Sequence, residues 1–112
     1  MRAETLKGHL DGLLLASLEA GPRHGYAIME ALRAGSGGQL DLPTGTVYPA
    51  LRRLETAGLI QGTWSQGAGR QRRVYQLTPA GRRALAAERG TWREFSAAVT
   101  ALLAPVPRPV TP

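Results

Sequence analysis

At 112 residues the chain has room for one compact domain, or for one small domain with an appended element. Its 43% hydrophobic content is too high for a disordered chain, and the lack of cysteine excludes disulfides and thiolate-bound zinc. The net charge of +6 is unevenly spread: residues 1–43 carry −1, residues 84–112 carry +1, and residues 44–83 carry +6.

A positive stretch of this kind is the footprint of a polyanion binder, with a merely solvated basic face as the alternative. A core this small is marginal alone, so a partner subunit is the expected source of added stability. No apolar run approaches the ~20 residues of a membrane span. The N-terminus has no hydrophobic block followed by a small-residue cleavage site, so a cytoplasmic protein without a membrane partner is expected.

Leu10, Leu13, Leu14 and Leu18 recur at helical spacing and predict a first helix over residues 10–20, closed by Gly21-Pro22. A second helix is expected over residues 24–34, with Tyr26, Ile28, Met29 and Leu32 as apolar contributors and Gly35-Ser36-Gly37-Gly38 as its stop. Pro43-Thr44-Gly45-Thr46 opens a third helix. Either Thr44 or Thr46 can cap it, and Thr46 is the tidier choice because it places Pro49 in the first turn. Gly58 ends it.

Two strands follow, over residues 59–65 and 72–77, separated by a six-residue glycine-rich tip, Gln66-Gly67-Ala68-Gly69-Arg70-Gln71. Thr78-Pro79 then caps and starts a long helix reaching Leu103, and the proline-rich residues 104–112 read as a disordered tail. Three helices, a β-hairpin and a fourth helix predict an α+β, mainly α fold. It is a winged helix-turn-helix over residues 1–78 with a long C-terminal dimerisation helix over residues 79–103.

On the third helix Val47, Leu51 and Leu54 share a narrow arc, while Gly45, Pro49, Arg52, Arg53 and Thr56 lie opposite. Small residues near the start and long cations further along suit a helix that meets base edges and phosphates in a major groove. Thr44 and Thr46 can meet phosphates or a thymine methyl, and Tyr48 on the flank can reach a phosphate. Tyr26, on the preceding helix, joins these DNA-facing candidates. In the hairpin Arg70, Arg72 and Arg73 sit beside Gly67 and Gly69, which let a backbone approach nucleic acid closely. Alternation puts Arg72 and Arg73 on opposite faces, which favours Arg70 and Arg72 as the contacts.

In the last helix Trp92, Phe95, Val99 and Leu102 follow the spacing of a coiled-coil seam, with Leu85 one heptad upstream and Leu103 beside its end. Glu88 interrupts that seam and Gly90 weakens the helix by ~1 kcal/mol. A helix about 37 Å long outreaches so small a domain, which favours a seam between two copies. Trp92 sits beside the weakened section, where loose packing between subunits can admit a ligand. No Ser/His/Asp set, carboxylate pair or metal cluster stands out, and His9 and His24 fall on structural segments. Hence no enzyme activity, catalytic residue, metal or cofactor is expected.

These residues resemble the PadR family of transcriptional regulators, in particular its short members with one C-terminal helix. The resemblance rests on Gly25-Tyr26-Ala27-Ile28, on residues 45–55 (Gly-Thr-Val-Tyr-Pro-Ala-Leu-Arg-Arg-Leu-Glu), on Gly58-Leu59-Ile60 and on residues 69–81. It spans roughly residues 8 to 103. The resemblance implies a homodimer on an inverted-repeat operator of double-stranded DNA, usually a repressor and sometimes released by a small molecule. It also implies that Thr46, Tyr48, Pro49 and Arg52 read DNA and that the wing residues Arg70 to Arg73 contact the backbone or minor groove. Trp92 is similar to an aromatic with which some drug-sensing members stack planar ligands, so a planar aromatic or hydrophobic effector is implied. A ligand-sensing or protein-interaction module without operator binding is the competing reading.

Overall fold

The computed structural model describes residue 6, residues 8–67 and residues 69–107. The side chain of Arg70 and residues 108–112 of the expected tail lie outside the described part. The chain runs α1 (Leu10–Ser17), β1 (Arg23–His24), α2 (Gly25–Gly35), α3 (Thr44–Thr56), β2 (Ile60–Gly67), β3 (Arg70–Leu77) and α4 (Pro79–Leu103). The strands form an antiparallel sheet in the order β1-β3-β2. This is a winged helix with one further helix, as the element order predicts.

One core joins every layer. Leu14 and Leu15 of α1 with Leu18 just after it, Ile28 and Leu32 of α2, and Val47, Ala50, Leu51 and Leu54 of α3 are all buried. Ile60, Tyr75 and Leu77 close it from the sheet, and Leu85 closes it from α4. The arc assigned to the inward side of α3 is therefore the buried one.

Local boundaries differ from expectation at four places, each for a physical reason. α1 stops at Ser17 rather than near Ala20, because the N–H groups of Leu18 and Glu19 turn to carbonyls three residues back and tighten the last turn. β1 went unanticipated, since two residues are too few to show a strand period. α3 begins at Thr44, with the extended Pro43 before it and no side-chain cap. Instead the carbonyl of Pro43 accepts from the N–H groups of both Thr46 and Val47, at 3.0 and 3.1 Å. Pro49 then lies in the second turn, where its missing N–H removes the intrahelical donor to the carbonyl of Gly45. Lastly, β2 and β3 pair without a break from Ile60↔Leu77 to Gly67↔Arg70, further towards the tip than expected, and Gly69 has φ +79°.

The junction between α3 and α4 holds the fold in register. Gly58, at φ +77°, ends α3 in a Schellman motif: its N–H bonds Glu55 and the N–H of Leu59 bonds Leu54, both at 3.0 Å. The hydroxyl of Thr78 accepts from the N–H of Gly81 at 3.0 Å, capping α4, and donates to the carbonyl of Gly58 at 2.7 Å. The N–H of Thr78 donates to the carbonyl of Leu59 at 3.2 Å. α4 comes so close that a Cβ on Gly81 would lie 1.9 Å from that carbonyl oxygen.

Two glycine substitutions in α4 should therefore move stability in opposite directions. Gly81→Ala collides with backbone and is expected to cost at least the ~1–3 kcal/mol of ordinary overpacking. Gly90 has open space around its Cα, so Gly90→Ala should add ~1 kcal/mol. Urea midpoints of the two variants check both signs.

Candidate nucleic-acid interface

Thr44, Gly45, Pro49, Arg52, Arg53 and Thr56 are exposed along α3, opposite its buried arc, and Thr46 is half-buried. The N–H groups of Thr44 and Gly45 precede the first intrahelical bonds, so the helix presents positive partial charge at this end. Arg52 pairs with no carboxylate among the described residues. Arg53 does: its guanidinium bonds the carboxylate of Asp11 on α1, although both side chains stay about half exposed.

The flank of α3 that carries Tyr48 is built by a glycine. A Cβ on buried Gly25 would lie 2.4 Å from the Tyr48 hydroxyl oxygen and 2.6–2.7 Å from its ring carbons. The hydroxyl end of the Tyr48 ring therefore rests against the start of α2, where only glycine leaves room. Tyr26 meets it edge-on, with ring centres 6.4 Å apart, and is itself 65% exposed. Burial, reinforced by the neighbouring Tyr26 phenol, raises the Tyr48 hydroxyl above the usual tyrosine range, so it stays a neutral donor at physiological pH.

The wing places its arginines on two faces. Arg73 pairs with the Glu55 carboxylate of α3, which also accepts from the Gly62 N–H at 3.2 Å. Its guanidinium lies 5.4 Å from the centre of the Trp64 ring, and a Cβ on Gly62 would strike it at 2.7 Å. Arg73, one of the expected DNA contacts, is thus held by α3 and β2 of its own protomer. Arg72, on the other face, is exposed and lies 3.2 Å from the ring of His24. The contacts of Trp64, His24 and Gly25 are not visible in the sequence. Only tertiary contact gives them their neighbours: Arg73 for Trp64, Arg72 for His24 and Tyr48 for Gly25.

Two of the α4 expectations separate here. Leu85 is only 4% exposed within a single protomer, so its side chain belongs to the domain core and not to a seam between copies. The reason is proximity: it lies two turns from the Thr78 junction, where α4 still runs against α1. Beyond it Phe95 is 54% and Leu102 84% exposed, with Trp92 and Leu103 similarly open and Val99 half-buried. The ring of Trp92 sits edge-on to His9 at 5.3 Å and 6.0 Å from Phe95. An apolar groove of about 330 Å³ runs between α1 and α4, lined by Leu6, Leu13, Leu40, Leu85, Glu88 and Trp92 among others. Glu88 lies across Gly12, where a Cβ would meet its side chain at 2.4 Å. Arg89 forks onto Glu19 at 2.6 and 2.8 Å, tying the rim of the groove together. Among the described residues there is no group of three or more potential metal ligands.

The Gly25–Tyr48 contact can be isolated by a double-mutant cycle. Gly25→Ala should cost about 1–3 kcal/mol with Tyr48 present. In a Tyr48→Ala background that cost should largely vanish, giving a coupling of about 0.5–3 kcal/mol from urea denaturation. Equal costs in both backgrounds would show that the ring does not rest on Gly25.

Several known proteins with this arrangement are described as transcriptional regulators. A transcriptional regulator of Mycobacterium tuberculosis is 39% identical over 74 residues, which is 66% of this chain and 56% of that protein. A Streptomyces fradiae transposon protein is 39% identical over 87 residues, 78% of this chain but 24% of its own length. The chain thus spans only part of these two relatives. The solved PadR family regulator of Eggerthella lenta is 33% identical with a TM-score of 0.78, covering 89% of this chain and 86% of that one. A PadR-like regulator of Bacillus cereus superposes at 0.80 with 28% identity over 93% of this chain and all of the other. A Clostridium thermocellum regulator at 0.84 and 22% identity shares the fold over 91% of this chain and all of the other. The sequence model of the PadR-like transcriptional regulators matches residues 14–87, from α1 through α3 and the hairpin into α4, and the chain belongs to that family.

Proposed function

We propose that the protein is a homodimeric operator-binding repressor. α3 enters the major groove of double-stranded DNA, and the β2–β3 wing follows the adjacent backbone or minor groove. Thr44, Thr46, Tyr48, Pro49 and Arg52 meet the groove from α3, Arg70 and Arg72 meet it from the wing, and Tyr26 borders it. The observation that carries this reading is the outer face of α3, slim at Gly45 and Pro49 and then cationic at an unpaired Arg52. Arg53 and Arg73, tied to Asp11 and Glu55, hold α3 and the wing in place and lend only their field.

Pairing through Trp92, Phe95, Val99, Leu102 and Leu103 would bury the apolar end of α4 and carry two reading helices to the halves of an inverted repeat. Such a regulator works in the cytoplasm, where the chromosome is. Among the described residues no helix is long and apolar enough to cross a membrane.

Fluorescence anisotropy with duplex fragments of the protein's own promoter region tests the reading. With about 6–10 phosphate contacts, affinity should fall ~10³–10⁵-fold between 50 and 200 mM salt. Arg52→Ala should weaken binding and reduce the salt slope by about 1. Unchanged binding in that variant would remove α3 from the interface. Sedimentation of Phe95→Asp/Leu102→Asp should give a folded monomer where the unaltered chain gives a dimer.

The groove beside Trp92 favours a second, compatible role. Its volume lies in the range of small-molecule sites, and its lining is mainly apolar, with His9, Glu88 and Arg89 as the polar side chains. A planar aromatic or hydrophobic effector bound there, at the root of the dimer helix, would release the operator. In a Trp64→Phe background such compounds should quench the remaining tryptophan and displace DNA.

A further inference from the structure

The imidazole of His24 faces two donors and has one lone pair to offer. Its Nδ1 lies 3.3 Å from the N–H of Ala27, which it caps at the start of α2, and its Nε2 lies 3.2 Å from Nη1 of Arg72. A neutral imidazole carries one N–H and one acceptor nitrogen, whereas a guanidinium only donates. One of the two contacts must therefore set donor against donor.

The surroundings decide which. The Ala27 N–H belongs to the first turn of a helix, has no intrahelical acceptor and is partly buried, so it needs the cap. Arg72 is exposed, and water can serve its N–H groups. Keeping the cap on Nδ1 assigns the proton to Nε2, so the Nε2–H and the guanidinium stand side by side as two donors.

Sheet register explains why they meet. His24 pairs with Val74 across β1 and β3, and side chains alternate along β3, so Arg72 shares the face of Val74 and His24. Two donors 3.2 Å apart beside the positive end of α2 suit a single oxyanion, which accepts from both. α2 is also the first helix of the helix-turn-helix, the one that crosses the DNA backbone when the second lies in the groove.

We propose that the Nε2–H of His24 and the guanidinium of Arg72 together clamp one backbone phosphate of the bound duplex. His24 thereby does two jobs at once, capping α2 through one nitrogen and holding DNA through the other. The assignment rests on the DNA-binding reading above and adds to it His24, a residue that neither the charge pattern nor the reading helix points to.

The test compares the unaltered chain with His24→Ser, Arg72→Ala and the double variant, by anisotropy on a bound promoter duplex across a salt series. Serine keeps the helix cap but does not reach as far as Nε2. His24→Ser should melt close to the unaltered chain yet bind DNA roughly tenfold more weakly, as expected for loss of a hydrogen bond to a charged group. Arg72→Ala should reduce the salt slope by about 0.9. The double variant should lose less than the product of the two single losses, because both residues serve one phosphate. Nitrogen-15 spectra of the free protein should show the Nε2–H tautomer.

Unchanged DNA affinity in His24→Ser overturns the clamp while leaving operator binding intact, and an Nδ1–H tautomer overturns it without any reference to affinity. If millimolar inorganic phosphate shifts the ring signals while both single variants bind duplex normally, the pair is a free-anion site and the DNA assignment falls. An unaltered chain that binds no duplex overturns both this inference and the reading beneath it.

Discussion

Thr78 ties together three parts of the molecule: the end of α3, the root of the hairpin and the start of α4. Its hydroxyl accepts from the first turn of α4 and donates to the carbonyl of Gly58, the residue that closes α3. The same threonine's N–H holds the carbonyl of Leu59, next to which Gly81 lies without a side chain. The end of the reading helix, the root of the wing and the start of the long helix are thus pinned by main-chain groups. Backbone contacts of this kind leave little freedom to slide, because every donor moved out of reach becomes an unsatisfied polar group. Orientation of α4 therefore sets orientation of α3 directly.

That rigidity gives the groove by Trp92 its interest. Leu85 anchors α4 to the core two turns after the junction, and the groove opens beyond it, between the exposed stretch of the same helix and α1. Anything that changes how α4 packs there acts on a lever whose short arm ends at Gly58. Glu88 over Gly12 and the Arg89–Glu19 fork are the contacts that such a change would disturb first. Hydrogen bonding to Arg89 lowers the Glu19 carboxyl below its ordinary range. The fork is therefore complete at neutral pH and is lost only as pH falls through that lowered value. Because the pair is exposed, its effect is on where α4 lies more than on how stable the domain is.

Elements with strong periodicity were legible in the sequence. The leucines of α1, the Val47-Leu51-Leu54 arc and the Thr78-Pro79 start of α4 each sit where spacing and capping chemistry put them. Features made by tertiary contact were not. β1 exists only because Arg23 and His24 find Tyr75 and Val74 across the sheet. Leu85 fits the heptad as well as Trp92 does, and only the path of α1 decides that one is core and the other surface. The start of α3 was misplaced because a side-chain cap was sought where the Pro43 carbonyl suffices. Gly25 carried a family likeness with no visible reason until Tyr48 was found against it.

Charge counting shows the same division between pattern and placement. Seven arginines between residues 44 and 83 mark a cationic region, but they are not seven equivalent contacts. Glu55, the lone carboxylate of that stretch, is spent on Arg73, and Asp11 reaches over from α1 to Arg53. Partly exposed pairs of this sort add little stability, so their consequence lies in geometry. Arg53 fixes α3 against α1, and Arg73, stacked on Trp64 above Gly62, fixes the wing against α3. Fixing those angles in the free protein lowers the ordering cost of meeting a rigid duplex, which is the form in which a surface ion pair contributes most to recognition. The arginines without carboxylate partners can then be few, provided that the paired ones hold them at the right separation.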